Sequence, residues 1–211
     1  MLPNLSGESI SRNAWTGDVG LVVRPHEQVS LVAHYARSFR HPNLEELFFS
    51  GPATVGSLLP NVQVEPETGD NLDLGVKFRT GQFRGGITYF NNRYHGFISP
   101  EMTSIGDVGP LFQAINFAEV QIQGVEGDFE LPFSVNNLHV IPWGNLAYHR
   151  GAILEARNPL TGESLDDTPQ DNITPFKWWG GLRLLDRNDR YWVCLLYTSD
   201  AADDTPCVDL G

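Results

Sequence analysis

The sequence predicts an all-β chain, a fragment of a large antiparallel transmembrane β-barrel carrying about eight strands. Three observations predict it. Residues 71–79 alternate strictly, with Leu72, Leu74, Val76 and Phe78 on one side and Asn71, Asp73, Gly75, Lys77 and Arg79 on the other, the period-two pattern of a strand with one apolar and one wet face. The connections between such stretches alternate short and long: 25–28, 40–70, 80–82, 97–112, 132–137, 150–173 and 185–189. Outer-membrane barrels place short turns at one end and long loops at the other. Finally, no run of about 18 apolar residues is present to make a membrane helix, and a barrel strand needs none. The alternation within one strand suits a half-buried soluble strand equally well; the regular order of connections favours the barrel.

Taken in order, the first strand covers residues 15–24, with Trp15, Val19, Leu21 and Val23 opposite Thr16, Asp18 and Arg24. The second follows the turn at 25–28 and sets Val29, Leu31, Ala33 and Tyr35 against Ser30, His34 and Ser38. The long segment 40–70 leads to the strand already described, and Thr80-Gly81-Gln82 turns it into a strand over 83–94. Residues 114–131 read as one strand whose apolar phase changes. Val120 and Ile122 are even, whereas Val125, Phe129 and Leu131 are odd, which predicts a β-bulge at Gln123-Gly124. Residues 138–149 return, and Phe176, Trp178, Leu182 and Leu184 alternate with Lys177 and Arg183 in the next strand. Tyr191-Trp192-Val193 begins another. Aromatic residues near strand ends, among them Trp15, Tyr35, Tyr94, Tyr148, Trp178 and Trp192, suit interfacial girdles, although sheets also use aromatics for ordinary packing.

The run Phe39-Arg40-His41-Pro42-Asn43-Leu44-Glu45-Glu46-Leu47, followed after a long loop by Pro66-Glu67-Thr68-Gly69-Asp70-Asn71-Leu72-Asp73-Leu74-Gly75-Val76-Lys77, resembles the barrel of TonB-dependent outer-membrane receptors. Tyr89 to Tyr94 with Gly96-Phe97-Ile98, then Asn116 and Gly124-Val125-Glu126, resemble the strands that follow in that family. The resemblance covers roughly residues 15–193 and implies a barrel of about 22 strands, so the 211 residues read as a fragment. It also implies an outer-membrane location in a Gram-negative-type bacterium. The implied function is energised uptake of a scarce bulky nutrient of ferric siderophore, haem or cobalamin type. Implied partners are that ligand, outer-membrane lipid, and the TonB complex through an N-terminal plug and energy-coupling box that these residues do not include. A passive porin, an adhesin barrel and a soluble all-β binding domain are the alternatives.

The other end carries a second resemblance. Residues Cys194 to Asp204 are similar to the translated read-through of a transposase-type sequencing adapter, and the expected division is 1–193 partial barrel, 194–211 non-native tail. Both cysteines, Cys194 and Cys207, lie in that tail, so no disulfide or thiolate chemistry is expected of the barrel part. The chain is acidic, with 14 basic and 26 acidic residues, and the four tail aspartates do not account for the imbalance. Nucleic acid as a partner needs clustered Lys and Arg and is not expected.

No catalytic motif is present: there is no Gly-x-Ser-x-Gly elbow, His-Glu-x-x-His pair or phosphate-binding glycine loop, so the expected class is a transporter, not an enzyme, with no cofactor and no bound metal. His26, His34, His41, His95, His139 and His149 lack ligand spacing. Glu126, Asp128 and Glu130 form one wet face of a strand, and Asp166, Asp167 and Asp171 match no calcium loop. The speculative ligand contacts are Arg40 and His41, at the lip where a strand meets a long external loop. In some haem-uptake members of the family a histidine in the loop between the two motifs ligates haem. Here His41 falls within the first motif and no histidine lies between Pro42 and Arg79.

Overall fold

The computed structural model describes residues 12–199 apart from 53, 55, 108, 171, 172, 175 and 187–190. The strands are β1 (Gly17–His26), β2 (Val29–Arg40), β3 (Gly51–Pro52), β4 (Ser57–Leu59), β5 (Glu67–Thr80), β6 (Phe83–Gly106), β7 (Gly109–Glu130), β8 (Phe133–Val135), β9 (Leu138–Ala156), β10 (Thr168–Pro169), β11 (Phe176–Asp186) and β12 (Trp192–Ser199), with one short helix, α1 (Leu44–Phe48). Eight of them form an antiparallel meander in the order β1-β2-β5-β6-β7-β9-β11-β12; β3, β4, β8 and β10 are short pieces attached to it. Among the described residues the sheet does not close on itself. β12 includes residues 194–199 of the adapter-like segment, paired to β11 from Leu185↔Trp192 to Trp178↔Ser199.

Register converts the alternation of single strands into two continuous faces. One row of cross-strand neighbours runs Leu21, Ala33, Leu74, Tyr89, Val125, Tyr148, Phe176, and the next runs Val23, Leu31, Val76, Ile87, Gly127, Leu146, Trp178. A third runs Val29, Phe78, Gly85, Phe129, Gly144, Gly180, Tyr197. Nearly all these positions are apolar, yet Leu21 is 60% exposed and Ile87 57%. In water each exposed Leu or Ile forgoes about 1.5–3 kcal/mol of burial; in lipid the same belt is the stable arrangement. On the opposite face the row through His34, Asp73, Phe90, Gly124 and His149 is mostly polar, as a barrel lumen is.

Just beyond Tyr35 and Tyr89 the belt face turns ionic. Arg37, Asp70, His95, Glu119 and Arg93 link β2, β5, β6 and β7, with His95 3.3 Å from Asp70 and 3.1 Å from Glu119. Arg37 also lies 4.7 Å above the Trp15 ring. Aromatics followed by charge mark the border of the apolar band at the end bearing the long connections.

Three expectations are corrected here. Residues 97–112 do not form a loop: β6 continues to Gly106 and β7 starts at Gly109, so the connection is a tight hairpin at the tip of a long two-stranded arm. The period-two signal fades in this stretch because above the lipid band neither face must be uniformly apolar. For the same reason there is no bulge at Gln123-Gly124, where pairing is continuous with Asn91 and Phe90. Val120 and Ile122 face the lumen side throughout; the apolar phase changes because what packs on the strand changes. The irregularities of these strands lie elsewhere: from Tyr94 to Ile98 in β6, where Gly96 adopts φ +63°, between Met102 and Ser104, and at Leu154 in β9, opposite the step from Glu119 to Val120. The return strand likewise outruns its expected end at 149 and reaches Ala156.

Candidate functional site: the loop-covered rim

At the long-connection end, the segments 41–66 and 157–170 fold onto the lumen-side face of the β6–β7 arm. Asn43 starts α1 with a reciprocal capping box: its Oδ1 accepts from the Glu46 amide at 2.8 Å while the Asn43 amide donates to Glu46 Oε2 at 2.7 Å. The helix buries Leu47 against Val64, Ile98 and Ala114. The chain then crosses the arm, and β4 pairs in parallel with the free upper edge of β7, Ser57↔Leu111 to Leu59↔Gln113. Covering that edge satisfies backbone groups that would otherwise be open.

Polar side chains fix the crossing. Asn116 donates from Nδ2 to the Glu65 and Gly96 carbonyls at 2.9 and 2.8 Å and accepts from the Glu65 amide at 2.8 Å. Asn61 donates to the Ala114 carbonyl, Gln113 to that of Pro60, and Arg12 pairs with Glu65 at 2.8 Å. Below them sits a buried carboxylate, Glu67. Its oxygens accept from Arg40 Nε at 2.7 Å and from the Ile98 amide at 3.0 Å; Ile98 lies at the register shift that follows Gly96. Arg40 also donates to Glu46 at 3.0 Å.

The second covering segment is tied down by Leu165, which packs on Val120, and by Asp166, whose Oδ1 accepts from the Ala156 amide at 3.0 Å. That backbone donor, helped by the Ser164 hydroxyl, holds the Asp166 carboxyl below the usual aspartate range. Asp166 and Asp167, the latter at φ +60°, build a turn. Asp171 lies outside the described residues.

Of the two residues expected at the lip, Arg40 points to the lumen side and is engaged by Glu67 and Glu46. His41 is exposed and meets the edge of Phe39, ring centroids 4.8 Å apart; Phe39 shares the strand parity of Tyr35 on the belt face. They have separate partners and do not converge on one point. Glu67 and Asn116, which the motif reading quoted without a role, are the residues that lock the rim. Their signal was polar residue types at fixed places in the two motifs.

Two clefts open at this rim. One of about 250 Å³ lies between Asn43, Glu45, Phe49 and Leu58, and one of about 390 Å³ lies between Asn116, Phe117, Glu155 and Arg157. A larger groove, about 800 Å³, belongs to the belt face between Phe78, Phe129, Leu146 and Trp178 and is therefore lipid-side. Among the described residues no three of His, Cys, Asp or Glu group as a metal site. The rim thus presents a mixed polar and apolar surface.

The sequence model of the family described as TonB dependent receptor-like, beta-barrel matches residues 3–206. The chain belongs to this family. It is a segment of an outer-membrane β-barrel. Among curated relatives, the ferric enterobactin receptor of Pseudomonas aeruginosa is 27% identical over 186 residues, covering 78% of this chain and 24% of that one. The hemin receptor of Yersinia pestis is 24% identical over 195 residues, covering 81% and 27%. The crystal structure of the siderophore receptor PirA from Pseudomonas aeruginosa superposes with a TM-score of 0.62 at 22% identity, covering 88% of this chain and 33% of that one, a likeness of fold. The chain thus spans about a quarter of the length of these curated relatives.

Proposed function

We propose that this chain is part of an outer-membrane receptor that takes up a scarce, bulky iron chelate of siderophore or haem type, or a ligand of similar bulk such as cobalamin, by energised transport. The observation that carries the reading is the locked rim: in a chain of the TonB-dependent receptor family, two long segments are fastened to the lumen side of the exterior end of the strands. A passive channel has no need to fix its loops so firmly. In this reading the two clefts and the loop lip bearing Arg40 and His41 contact the ligand, Arg40 chiefly by holding α1 in place. Energy arrives through the TonB complex, acting on a part of the receptor outside these residues.

The test is growth of a strain deleted for the full-length receptor under iron limitation, fed one chelate at a time, with and without a proton-motive-force uncoupler. The expected result is loss of use of one chelate, restored by the intact gene and abolished by uncoupler. Uptake of small solutes that survives the uncoupler points to the passive porin instead.

A further inference from the structure

The charges at the long-connection end are one-sided. Segments 41–66 and 157–170, with the β6–β7 arm over 95–119, carry nine Asp or Glu residues and a single Arg or Lys, Arg157. The arginines that reach the lumen side of this rim from elsewhere are already engaged, Arg40 by Glu67 and Glu46 and Arg12 by Glu65. Arg37, Arg93 and Arg150 share the strand parity of Tyr35, Tyr89 and Tyr148 and lie on the belt face. Arg157 acts on the Asp166 carboxylate. Among the described residues the lumen side of the rim therefore holds no Arg or Lys free of a carboxylate, whereas Glu45 and Glu163 are exposed. Glu45 and Glu46 line the smaller cleft, and Glu119, Glu155 and Arg157 the larger.

We infer that this sector of the rim receives a ligand with no anionic face, which narrows the cargo to cobalamin or a neutral or cationic iron chelate, such as a hydroxamate. It sets aside a ferric tris-catecholate, which is a trianion, and haem with its propionates. The inference rests on the receptor reading proposed above. A polyanion seated at either cleft meets carboxylates, and like charges brought together at an interface are strongly disfavoured. To gain a guanidinium it must draw Arg40 away from Glu67, and Glu67 is buried; a buried carboxylate left without its partner is costly. An ammonium group or a neutral N–H or O–H donor finds acceptors in the same carboxylates. The negative field of the rim also slows the approach of an anion and speeds that of a cation. Beneath the rim the lumen wall runs uncharged through Ser38, Asn71, Asn92 and Tyr94, and ions begin only at His34 and Asp73. A neutral ligand therefore keeps amide and hydroxyl partners as it descends.

Binding of the purified full-length receptor to a ferric tris-catecholate, haem, cobalamin, a neutral ferric trihydroxamate and the same trihydroxamate bearing an ammonium group tests it. The tightest binding is expected to cobalamin or to a trihydroxamate. The charge-reversing double variant Glu45→Lys, Glu163→Lys is expected to raise the affinity for the tris-catecholate at least several-fold, and high salt to abolish that gain. Both side chains are exposed, so the barrel still forms, which heat-modifiable gel migration checks; the milder pair Glu45→Gln, Glu163→Gln is expected to act in the same direction. Tightest binding to the tris-catecholate or to haem overturns the inference and leaves the functional reading standing. So does a charge-reversed rim that leaves the tris-catecholate affinity unchanged. A receptor that binds none of the probes removes the functional reading and this inference together.

Discussion

The guanidinium of Arg40 and the buried carboxylate of Glu67 meet at 2.7 Å across the last pair of the β2–β5 ladder, and the second oxygen of that carboxylate takes the Ile98 amide next to the β6 bulge. Three strands and α1 are thereby tied through one side chain. Glu67→Ala removes the acceptor for both donors. Hydrogen bonds to charged groups are worth about 1.5–3 kcal/mol each, and the lower end applies because Arg40 is 42% exposed. The expected outcome is an intact barrel with a loosened 41–66 segment, seen as faster proteolysis there and weaker ligand binding. Glu67→Gln keeps an acceptor for Ile98 and falls between.

Asn116 is the second tie. Asn116→Ala removes two donated bonds and one accepted bond, a loss of about 1–3 kcal/mol at roughly 1 kcal/mol per neutral bond. Hydrogen exchange is expected to rise at Glu65 and at the upper edge of β7, where β4 is attached, and to stay unchanged in the belt. Gly96→Ala approaches the same place from the backbone: at φ +63° a Cβ costs about 1–2 kcal/mol, and it meets Asn116 Nδ2 at 3.3 Å.

The belt strands were legible in the sequence because lipid imposes one rule on one face. Leu72, Leu74, Val76 and Phe78 obey it without exception, and register carries it to Val29, Leu31, Ile87 and Leu146. Above Tyr35 and Tyr89 that rule ends. Ile98 and Ala114 bury themselves under the covering loop while Ile105 at the arm tip is exposed, so a continuous strand reads as a loop. The phase change in β7 was misplaced onto a bulge for the same reason. In the rim, Arg40 was found by its position, but its partner Glu67 lies 27 residues away and no local period connects them. β12, which reaches into the segment expected to be a non-native tail, pairs with β11 over residues 192–199, and no local pattern in the sequence announced that pairing.

A charge on the belt separates its two faces. Leu74→Arg, mid-belt and 46% exposed, is expected to cost about 2–4 kcal/mol in the bilayer. Asp73→Asn, one residue away on the lumen face and near His34, is expected to change stability by less than about 1 kcal/mol. Urea titration of the full-length receptor folded into vesicles, read by heat-modifiable gel migration, measures both. Equal effects at the two positions contradict the assignment of faces.

Acid is expected to release the 157–170 segment before the belt. Asp166 is held below its ordinary value by the Ala156 amide first and the Ser164 hydroxyl second. A depressed folded-state value means that the carboxylate's contribution is complete above the unfolded aspartate value of about 3.9. It declines as pH falls through the lower folded value, when protonation weakens the acceptor. Limited proteolysis after Arg157 is therefore expected to be slow at neutral pH in the natural protein and fast in Asp166→Ala, which lacks the acceptor at any pH. Asp166→Asn retains an oxygen but not the charge, and is expected to lie between them without a pH response below 4. An acid transition that persists unchanged in Asp166→Asn assigns the release to another group.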